Sequence, residues 1–165
     1  MQGLRSSTAA TNDLARAIRV LGAELADKAD SSSTEFRVEV EGTPRDLAPN
    51  IMDEVCRMAS EAVRNAFQHA QAKRIEVEIR YNQRQFRLRI RDDGEGIDPK
   101  VLESGARAGH YGLPGLQERA KLVGGKLTVC SEPGSGTEVE LSIPASIVYS
   151  SVNERSAASR EKGAL

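Results

Sequence analysis

The chain of 165 residues has no tryptophan, and its aromatic residues amount to three tyrosines and three phenylalanines. A platform of aromatic side chains on which nucleic-acid bases stack is therefore not expected. The two cysteines, Cys56 and Cys130, are too few and too isolated for a disulfide framework or a zinc site. We expect both to be reduced residues of the core.

An excess of charge of one sign and long apolar stretches are also missing. The net charge of −1 argues against a dedicated nucleic-acid or membrane-surface binder, whose affinity needs a basic excess. No apolar run approaches the roughly 18 residues of a membrane span, and the N-terminus lacks the apolar region of a signal peptide. We expect a soluble, cytoplasmic, single-domain protein with 39% hydrophobic and 28% charged residues, without a nucleic-acid partner.

Helical spacing of apolar residues predicts three helices, over residues 13–29, 49–70 and 114–123. Asn50 is the expected N-cap of the second, and Gly124-Gly125 ends the third. Before the third helix, residues 99–103 could form a short helical turn, and the glycine-rich segment 104–112 has no regular pattern. Residues 1–11 are expected to form a ragged end, and the tail beyond Pro144 a disordered one, because both have little apolar content.

Five strands are predicted from the alternation of apolar with charged residues, over residues 35–41, 74–81, 84–91, 126–131 and 137–143. None of them is a continuous apolar run. This pattern favours a largely antiparallel sheet with one face in water and the other covered by helices. The predicted fold class is therefore an α/β two-layer sandwich.

The helix over residues 49–70 carries three polar residues at intervals of four, namely Glu61, Asn65 and His69. They form a narrow stripe that drifts by roughly 80° along one edge of the apolar arc. Carboxylate and amide oxygens are hard ligands of the kind that Mg²⁺ prefers. The alternative is that these are half-exposed polar residues beside a core seam.

An Asp-x-Gly-x-Gly turn, formed by Asp92, Gly94 and Gly96, comes directly after the strand over residues 84–91. A carboxylate followed by two glycines at a strand end places an acceptor at the floor of a pocket, and the missing Cβ atoms let a flat ligand approach the backbone. The alternative is a polar connection that merely ends a strand.

Two further glycine segments precede regular elements. Residues 109–115, with the sequence GHYGLPG, lead into a helix, so their backbone N–H groups could bind an anion. They match neither the P-loop nor the dinucleotide pattern, and a flexible capped loop is the alternative. Residues 134–137, with the sequence GSGT, enter the last strand and place a threonine hydroxyl beside the sheet end that carries Asp92. A plain turn is the alternative there.

Taken in order, these four segments resemble the ATP-binding catalytic domain of sensor histidine kinases, which belongs to a wider family that includes gyrase, mismatch-repair ATPases and a heat-shock chaperone. The resemblance runs from about Ile51 to Pro144. The segments SEAVRNAFQHAQA and GLPGLQERAKLVGGKLTV are most similar to the nitrate-sensor subgroup. The resemblance implies a Bergerat ATP-binding fold, with a mixed, mostly antiparallel sheet, over residues 31–145. Residues 1–30 would then be the remnant of a dimerisation helix and its connector, and residues 146–165 a disordered tail.

The resemblance also implies the role of each site residue. Asp92 would accept a hydrogen bond from the adenine amine, as suits an acceptor-only carboxylate, beside Gly94, Gly96 and Ile97. Asn65 would hold Mg²⁺, Glu61 would act through the water shell of that metal, and His69 would face the phosphates. The remaining residues would close the site, as a lid or from the sheet: Gly109, Gly112, Leu113, Gly115 and Thr137.

This chain departs from the family pattern in two respects. The loop over residues 109–115 has one residue more than the shorter family form, so which lid glycine contacts phosphate stays open. The family phosphorylates a histidine on its dimerisation helix, whereas the two histidines here, His69 and His110, both fall within the nucleotide-binding region. We therefore expect a fragment that begins within that helix.

Such a fragment would bind ATP and donate its γ-phosphoryl group to a histidine on a dimerisation domain absent from this chain, for relay to a response regulator. It would form a homodimer only within the full-length protein, whose anchoring to a membrane the sequence leaves open. The alternative is a free-standing regulatory protein similar to the anti-sigma-factor serine kinases. An ATP-driven clamp of the gyrase kind needs a transducer domain, for which 165 residues leave no room.

Overall fold

The computed structural model describes residues 3–28, 33–69, 71–98, 100 and 113–149. Its helices are α1 (Gly3–Lys28), α2 (Pro49–His69), α3 (Leu113–Leu122) and the short α4 (Ala145–Val148). Its strands are β1 (Glu35–Glu41), β2 (Arg74–Tyr81), β3 (Gln85–Asp92), β4 (Lys126–Glu132) and β5 (Gly136–Pro144). Apart from Lys100, the predicted helical turn over residues 99–103 and the glycine-rich segment 104–112 lie outside the described residues.

One mixed sheet holds all five strands in the order β1-β2-β3-β5-β4. Only the edge strand β1 pairs in parallel, with β2, while the other three pairings are antiparallel. The two-layer α/β prediction is thus confirmed, and each strand begins and ends within one residue of its predicted bounds. In the described part of the chain, no helix combines the length and the apolar content that crossing a bilayer requires.

The core lies between the sheet and helices α1, α2 and α3. Every second residue of β2 and β3 is buried there, and Phe86 is completely inaccessible to solvent. Helix α2 contributes seven buried residues, all of which except Val63 belong to the predicted apolar arc: Ile51, Val55, Met58, Ala59, Ala62, Val63 and Ala66. Because these buried residues run over roughly four turns, α2 is held along most of its length, which fixes the polar stripe at its edge.

Helix α1 packs on both α2 and β1. Gly22 makes this possible, because a Cβ at that position would lie 2.2 Å from the ring of Phe36. That ring in turn stands 5.8 Å from the ring of Phe67 on α2. A glycine on the inner face of α1 therefore lets three elements meet at one aromatic pair.

The outer face of the sheet is charged and carries a ladder of ion pairs. Arg89 on β3 pairs with Glu78 on β2 and, at 3.5 Å, with Glu138 on β5. Arg80 bridges Glu78 and Glu41, each at 2.9 Å. The ladder follows from the strand alternation, since β1, β2 and β5 place glutamates beside the arginines of their neighbours.

Helix α1 differs from the prediction, since it begins at Gly3 and not near residue 13. The small and polar residues there extend a helix already nucleated by the packed Leu14 and Ile18, and adding a turn to an existing helix costs little. Asn50 is also not an N-cap, because α2 begins one residue earlier at Pro49, whose fixed φ suits a first helical position.

The C-terminal segment is ordered further than predicted. Val148 and Tyr149 are buried, and the Tyr149 hydroxyl donates to the carbonyl of Asn82 over 2.8 Å. The guanidinium of Arg45 lies 3.9 Å from the centre of the tyrosine ring. The expected disordered tail therefore cannot begin at residue 146. Cys130 also differs from the prediction, since it is exposed on the outer face of β4 and not part of the core.

Candidate functional site

A cleft with an empty volume of about 440 Å³, open to solvent, lies between the C-terminal half of α2 and the adjoining ends of β3 and β5. Its lining combines small and apolar side chains with a few polar ones, as ligand sites commonly do. The lining residues are Ala62, Asn65, Ala66, His69, Ile90, Asp92, Gly96, Ile97, Leu113, Thr137 and Val139.

Asp92 is the one buried charged residue of the described chain, with 7% of its surface exposed. It continues the inward alternation of β3 and therefore points to the helix side of the sheet. Its Oδ1 accepts hydrogen bonds from the backbone N–H groups of Gly94, at 3.0 Å, and Thr137, at 3.3 Å. No hydrogen bond between described residues ends on Oδ2, so an acceptor remains available to a ligand in the cleft.

The pKa of Asp92 lies above its usual value, first of all because burial disfavours the charged form. The two backbone hydrogen bonds act in the opposite direction, and the neighbouring Asp93 raises the pKa further. A hydrogen bond donated by a ligand would therefore stabilise the charged form of this carboxylate.

The adjacent Asp93 has a different, structural task. It is exposed, and its Oδ1 accepts from the backbone N–H groups of Lys73 and Arg74, each at 2.9 Å. These bonds attach the turn after β3 to the beginning of β2. Because successive residues along the strand direction point to opposite sides, Asp92 faces the cleft whereas Asp93 holds the backbone.

The glycine turns on either side of Asp92 fit only because they lack side chains. Gly96 has φ +77°, and a Cβ there would lie 2.3 Å from the carbonyl oxygen of Glu132. Gly136 has φ +98°, and its Cβ would lie 1.9 Å from the carbonyl oxygen of Asp92 itself. The two turns thus pack backbone against backbone around the floor of the cleft.

Ser131 is not among the predicted site residues, yet its hydroxyl joins both glycine turns. Its Oγ accepts from the N–H of Ile97 at 2.7 Å, lies 3.1 Å from the carbonyl oxygen of Gly136 and lies 2.8 Å from Oγ1 of Thr137. The sequence contained a signal for it. Leu127 and Val129 alternate inward along β4, and Ser131 is the next residue on that face.

The polar stripe of α2 reaches the cleft with two of its three members. Asn65 and His69 line it, with Ala62 and Ala66 beside them. Glu61 is half-buried one turn earlier and does not line the cleft. The two alanines, together with Ile90 and Val139, are apolar residues of the predicted helix and strands and are not among the predicted site residues. Their position shows that the core seam continues into the cleft, where small side chains leave room for a ligand.

The predicted lid residues have different positions. Leu113 is buried at the beginning of α3 and lines the cleft, whereas Gly115 is exposed and does not. Gly94, which was predicted beside adenine, is buried and does not line the cleft, and its N–H donates to Asp92. Gly109 and Gly112 lie outside the described residues.

The oxygen donors at the cleft would suit a metal ion that takes most of its ligands from water and phosphate oxygens. Among the described residues, no group of three or more His, Cys, Asp or Glu side chains could hold a metal ion. The amide of Asn65 lines the cleft, with the carboxylate of Glu61 one turn away. Mg²⁺ commonly takes one or two protein oxygens and completes its shell with water and phosphate oxygens, so this donor set fits it.

Comparison with known proteins identifies the family of this fold and cleft. Residues 50–147 match the family model described as histidine kinase-, DNA gyrase B-, and HSP90-like ATPase. The chain is 36% identical, over 123 residues, to an uncharacterized sensor-like histidine kinase of Chloroflexus aurantiacus, with 72% of this chain and 21% of that protein covered. It is 32% identical, over 127 residues, to the sensor histidine kinase LiaS of Bacillus subtilis, with 73% and 34% covered.

A solved structure has the same fold. The blue-light activated histidine kinase of Erythrobacter litoralis superposes with a TM-score of 0.63 at 23% identity, over 81% of this chain and 42% of that one. The chain spans between about a fifth and a third of the length of the two curated relatives. Because the family model covers more than half of the residues, this chain belongs to the histidine kinase-, DNA gyrase B-, and HSP90-like ATPases.

Proposed function

We propose that the chain binds Mg²⁺-ATP in the cleft at Asp92. As the catalytic domain of a cytoplasmic sensor kinase module, it would donate the γ-phosphoryl group to a histidine on a dimerisation domain of the parent protein. From that histidine the phosphoryl group would pass to a response regulator. The curated relatives, which are sensor histidine kinases, support this class of reaction. The nitrate-sensor subgroup stays a prediction.

The buried carboxylate of Asp92 is the observation that carries the proposal. It has one oxygen fixed by two backbone N–H groups, and its other oxygen receives no hydrogen bond from a described residue. A buried acceptor at the base of a cleft selects a ligand with an N–H donor, because a ligand without one leaves the carboxylate unsatisfied. The exocyclic amine of adenine is such a donor, and Gly96 and Ile97 line the cleft together with Asp92.

Residues at the open side of the cleft would hold the triphosphate. Mg²⁺, when bound to Asn65, would neutralise phosphate charge, with Glu61 orienting its water shell. His69 ends α2 and would face the phosphates, while Leu113, Gly115 and the lid residues Gly109 and Gly112 would cover them. Phosphoryl transfer depends mainly on positioning and charge stabilisation, so such a site needs no covalent catalyst.

The N-terminal helix would connect this domain to its phosphoacceptor. We assign residues 1–30 to the end of a dimerisation helix and its connector, and the parent kinase would be a homodimer through that helix. The helix α1 packs on α2 and β1, as expected of a connector that transmits the position of one domain to the other. The free-standing serine-kinase alternative has no comparable observation in its favour.

Asp92→Asn and Asp93→Asn form a matched pair that tests the adenine site. The amide at position 92 would present a donor to the adenine amine, so we expect ATP affinity to fall by at least about tenfold, the loss of one charge-assisted hydrogen bond. Asp93→Asn should lower the free energy of unfolding but leave ATP affinity within about threefold. Binding is measured with a fluorescent ATP analogue and folding by urea titration. Equal ATP affinities for the two variants would contradict the assignment.

Phosphoryl transfer is tested by supplying dimerisation helices of a sensor histidine kinase in trans with labelled ATP and Mg²⁺. We expect acid-labile phosphohistidine on the added helices with this chain but not with its Asp92→Asn variant. An Asn65→Ala variant should bind ATP with little response to Mg²⁺. Transfer that persists unchanged in Asp92→Asn would contradict the role of Asp92, whereas acid-stable label on serine would favour the regulatory serine-kinase alternative.

A further inference from the structure

The last turns of α2 lie between the cleft and a pair of aromatic rings. Asn65 and His69 line the cleft, and Phe67 lies midway between them in the chain. Since two residues advance by about 200° around a helix, Phe67 points away from the cleft, and it is not among the lining residues. Its ring stands 5.8 Å from the ring of Phe36 on β1.

The ring of Phe36 is in turn packed directly on α1. Gly22 is buried there, and a Cβ at that position would lie 2.2 Å from Cε1 and 2.3 Å from Cδ1 of Phe36. About one turn earlier on α1, the guanidinium of Arg19 donates to the carbonyl oxygen of Val38 over 3.3 Å. Helix α1 therefore contacts β1 at the level of Phe36, and the contact leaves no room even for a methyl group.

Strand β1 also holds the chain that follows α2. The hydroxyl of Thr34 donates to the carbonyl oxygen of Ala72 over 3.1 Å, and the N–H of Glu35 donates to the carbonyl oxygen of Lys73 over 2.8 Å. The C-terminal end of α2 is thus attached to β1 twice, by a ring on its side and by the backbone beyond it. A displacement of β1 or of its ring reaches α2 at the end that lines the cleft.

We propose that the Phe36–Phe67 pair is a positioning device that transmits the position of α1 to the phosphate end of the proposed ATP site. A displacement of α1 moves the ring of Phe36, because the two are in direct contact at Gly22, and a close-packed interior passes the strain on to α2. The base end, at Asp92, belongs to β3 and lies outside this path. This inference rests on the proposed function and adds a control of the phosphate end from α1.

The test compares Mg²⁺-ATP with adenosine, which has the base but no phosphates. Both dissociation constants are measured by competition with a fluorescent ATP analogue. In Phe67→Leu we expect Mg²⁺-ATP to bind about fivefold more weakly, the value of one ordinary hydrogen bond, because the turn with Asn65 and His69 is no longer held in place. The affinity for adenosine should stay within about twofold. Phe36→Leu should have the same selective effect.

Gly22→Ala tests whether the effect begins at α1. The described lining of the cleft contains no residue of this helix. Alanine favours a helix over glycine, so a lowered free energy of unfolding would identify the clash with Phe36. We expect a selective loss of Mg²⁺-ATP affinity, and in a Phe36→Leu background the same substitution should change that affinity by less than about twofold, because the smaller side chain leaves room. If Gly22→Ala does not fold, Arg19→Ala loosens the same contact from its exposed side and should give a smaller loss of the same kind.

Phe86→Leu is the matched control for general destabilisation. Phe86 is completely buried, and its ring stands 5.5 Å from that of Tyr81, at the opposite end of β3 from Asp92. This variant should lower the free energy of unfolding in urea but leave the ratio of the two affinities as it is in the unaltered chain.

The outcomes separate this inference from the proposed function. An unchanged ratio of affinities in Phe67→Leu would overturn the role of the aromatic pair and retain the ATP site. A selective loss in Phe67→Leu together with an unchanged ratio in a destabilised Gly22→Ala would overturn the transmission from α1. Failure of the unaltered chain to bind either ligand would overturn the ATP site and this inference with it.

Discussion

At the scale of single residues, the buried carboxylate of Asp92 destabilises the fold when it is charged but provides a hydrogen-bond acceptor for a ligand. Its burial raises its pKa, so the folded state resists ionisation of this group while the unfolded state does not. The stability associated with the protonated form is therefore present below the unfolded pKa of 3.8 and is lost as the pH rises through the higher folded pKa.

We accordingly predict that Asp92→Asn becomes relatively more stable as the pH rises. Well below pH 3.8 the carboxyl group is protonated in both states, so its ionisation should not contribute to a stability difference between the variant and the unaltered chain. Toward pH 7 the unaltered chain must hold a buried charge, and the variant should gain in comparison. Urea unfolding of both proteins at several pH values measures this difference. A difference that does not change with pH would contradict the account.

Strand parity shows how far residue roles could be predicted. Asp92, not Asp93, faces the cleft because it continues the inward series of β3, and that series is readable in the sequence. The same rule applied to β4 would have found Ser131. Its three hydrogen bonds could not be foreseen, because they depend on the register between β4 and β5 and on two glycine turns 34 and 5 positions away.

At the scale of elements, two glycines in the turns near the cleft allow the cost of backbone strain to be measured separately from the cost of a close contact. Gly96 and Gly134 have almost the same φ, +77° and +80°. A Cβ at Gly96 would meet the carbonyl of Glu132 at 2.3 Å, whereas a Cβ at Gly134 would meet nothing within 4 Å. The two positions are thus a natural matched pair.

We predict that Gly134→Ala lowers the free energy of unfolding by about 1 kcal/mol, the cost of a left-handed non-glycine residue. Gly96→Ala should cost at least about twice as much and should also weaken ATP binding, because the turn below the proposed adenine site must move. Urea titration and nucleotide binding of both variants measure these effects. Equal costs would show that the close contact with Glu132 relaxes freely.

Elements could be predicted from periodicity, but some of their relations could not. The alternating pattern of β1 is the same for a parallel and an antiparallel edge strand, so its pairing with β2 had to come from the structure. The early beginning of α1 at Gly3 and the packing of Tyr149 depend on neighbours that a local pattern does not contain.

At the scale of the whole molecule, the charged outer face opposes the apolar inner one. The pairs lie on half-exposed side chains, where a single pair is worth about 1 kcal/mol or less. Arg89 belongs to the ladder with two partners, whereas Arg91, two residues further along β3, makes no ion pair with a described residue. The contribution of the ladder to the free energy of unfolding should therefore be measurable as the difference between substitutions at Arg89 and at Arg91.

We predict that Arg89→Gln lowers the free energy of unfolding by about 0.5–1 kcal/mol more than Arg91→Gln at low salt. In 1 M salt the difference should shrink, because screening acts over about 3 Å under those conditions. Urea unfolding at both salt concentrations measures it. A difference that is unaffected by salt would assign the effect to side-chain packing and not to charge.

The hydrogen bond between Thr137 and Asp92 joins residues that stand 45 positions apart in the chain. Closing so long a loop is slow compared with forming a helix or a hairpin, and β5 must pair with β3 before the bond exists. During synthesis, Asp92 and Gly96 would leave the ribosome well before the strand that completes their pocket. Because Thr137 and Val139 of β5 line the cleft, the proposed nucleotide site is complete only after β5 has joined the sheet.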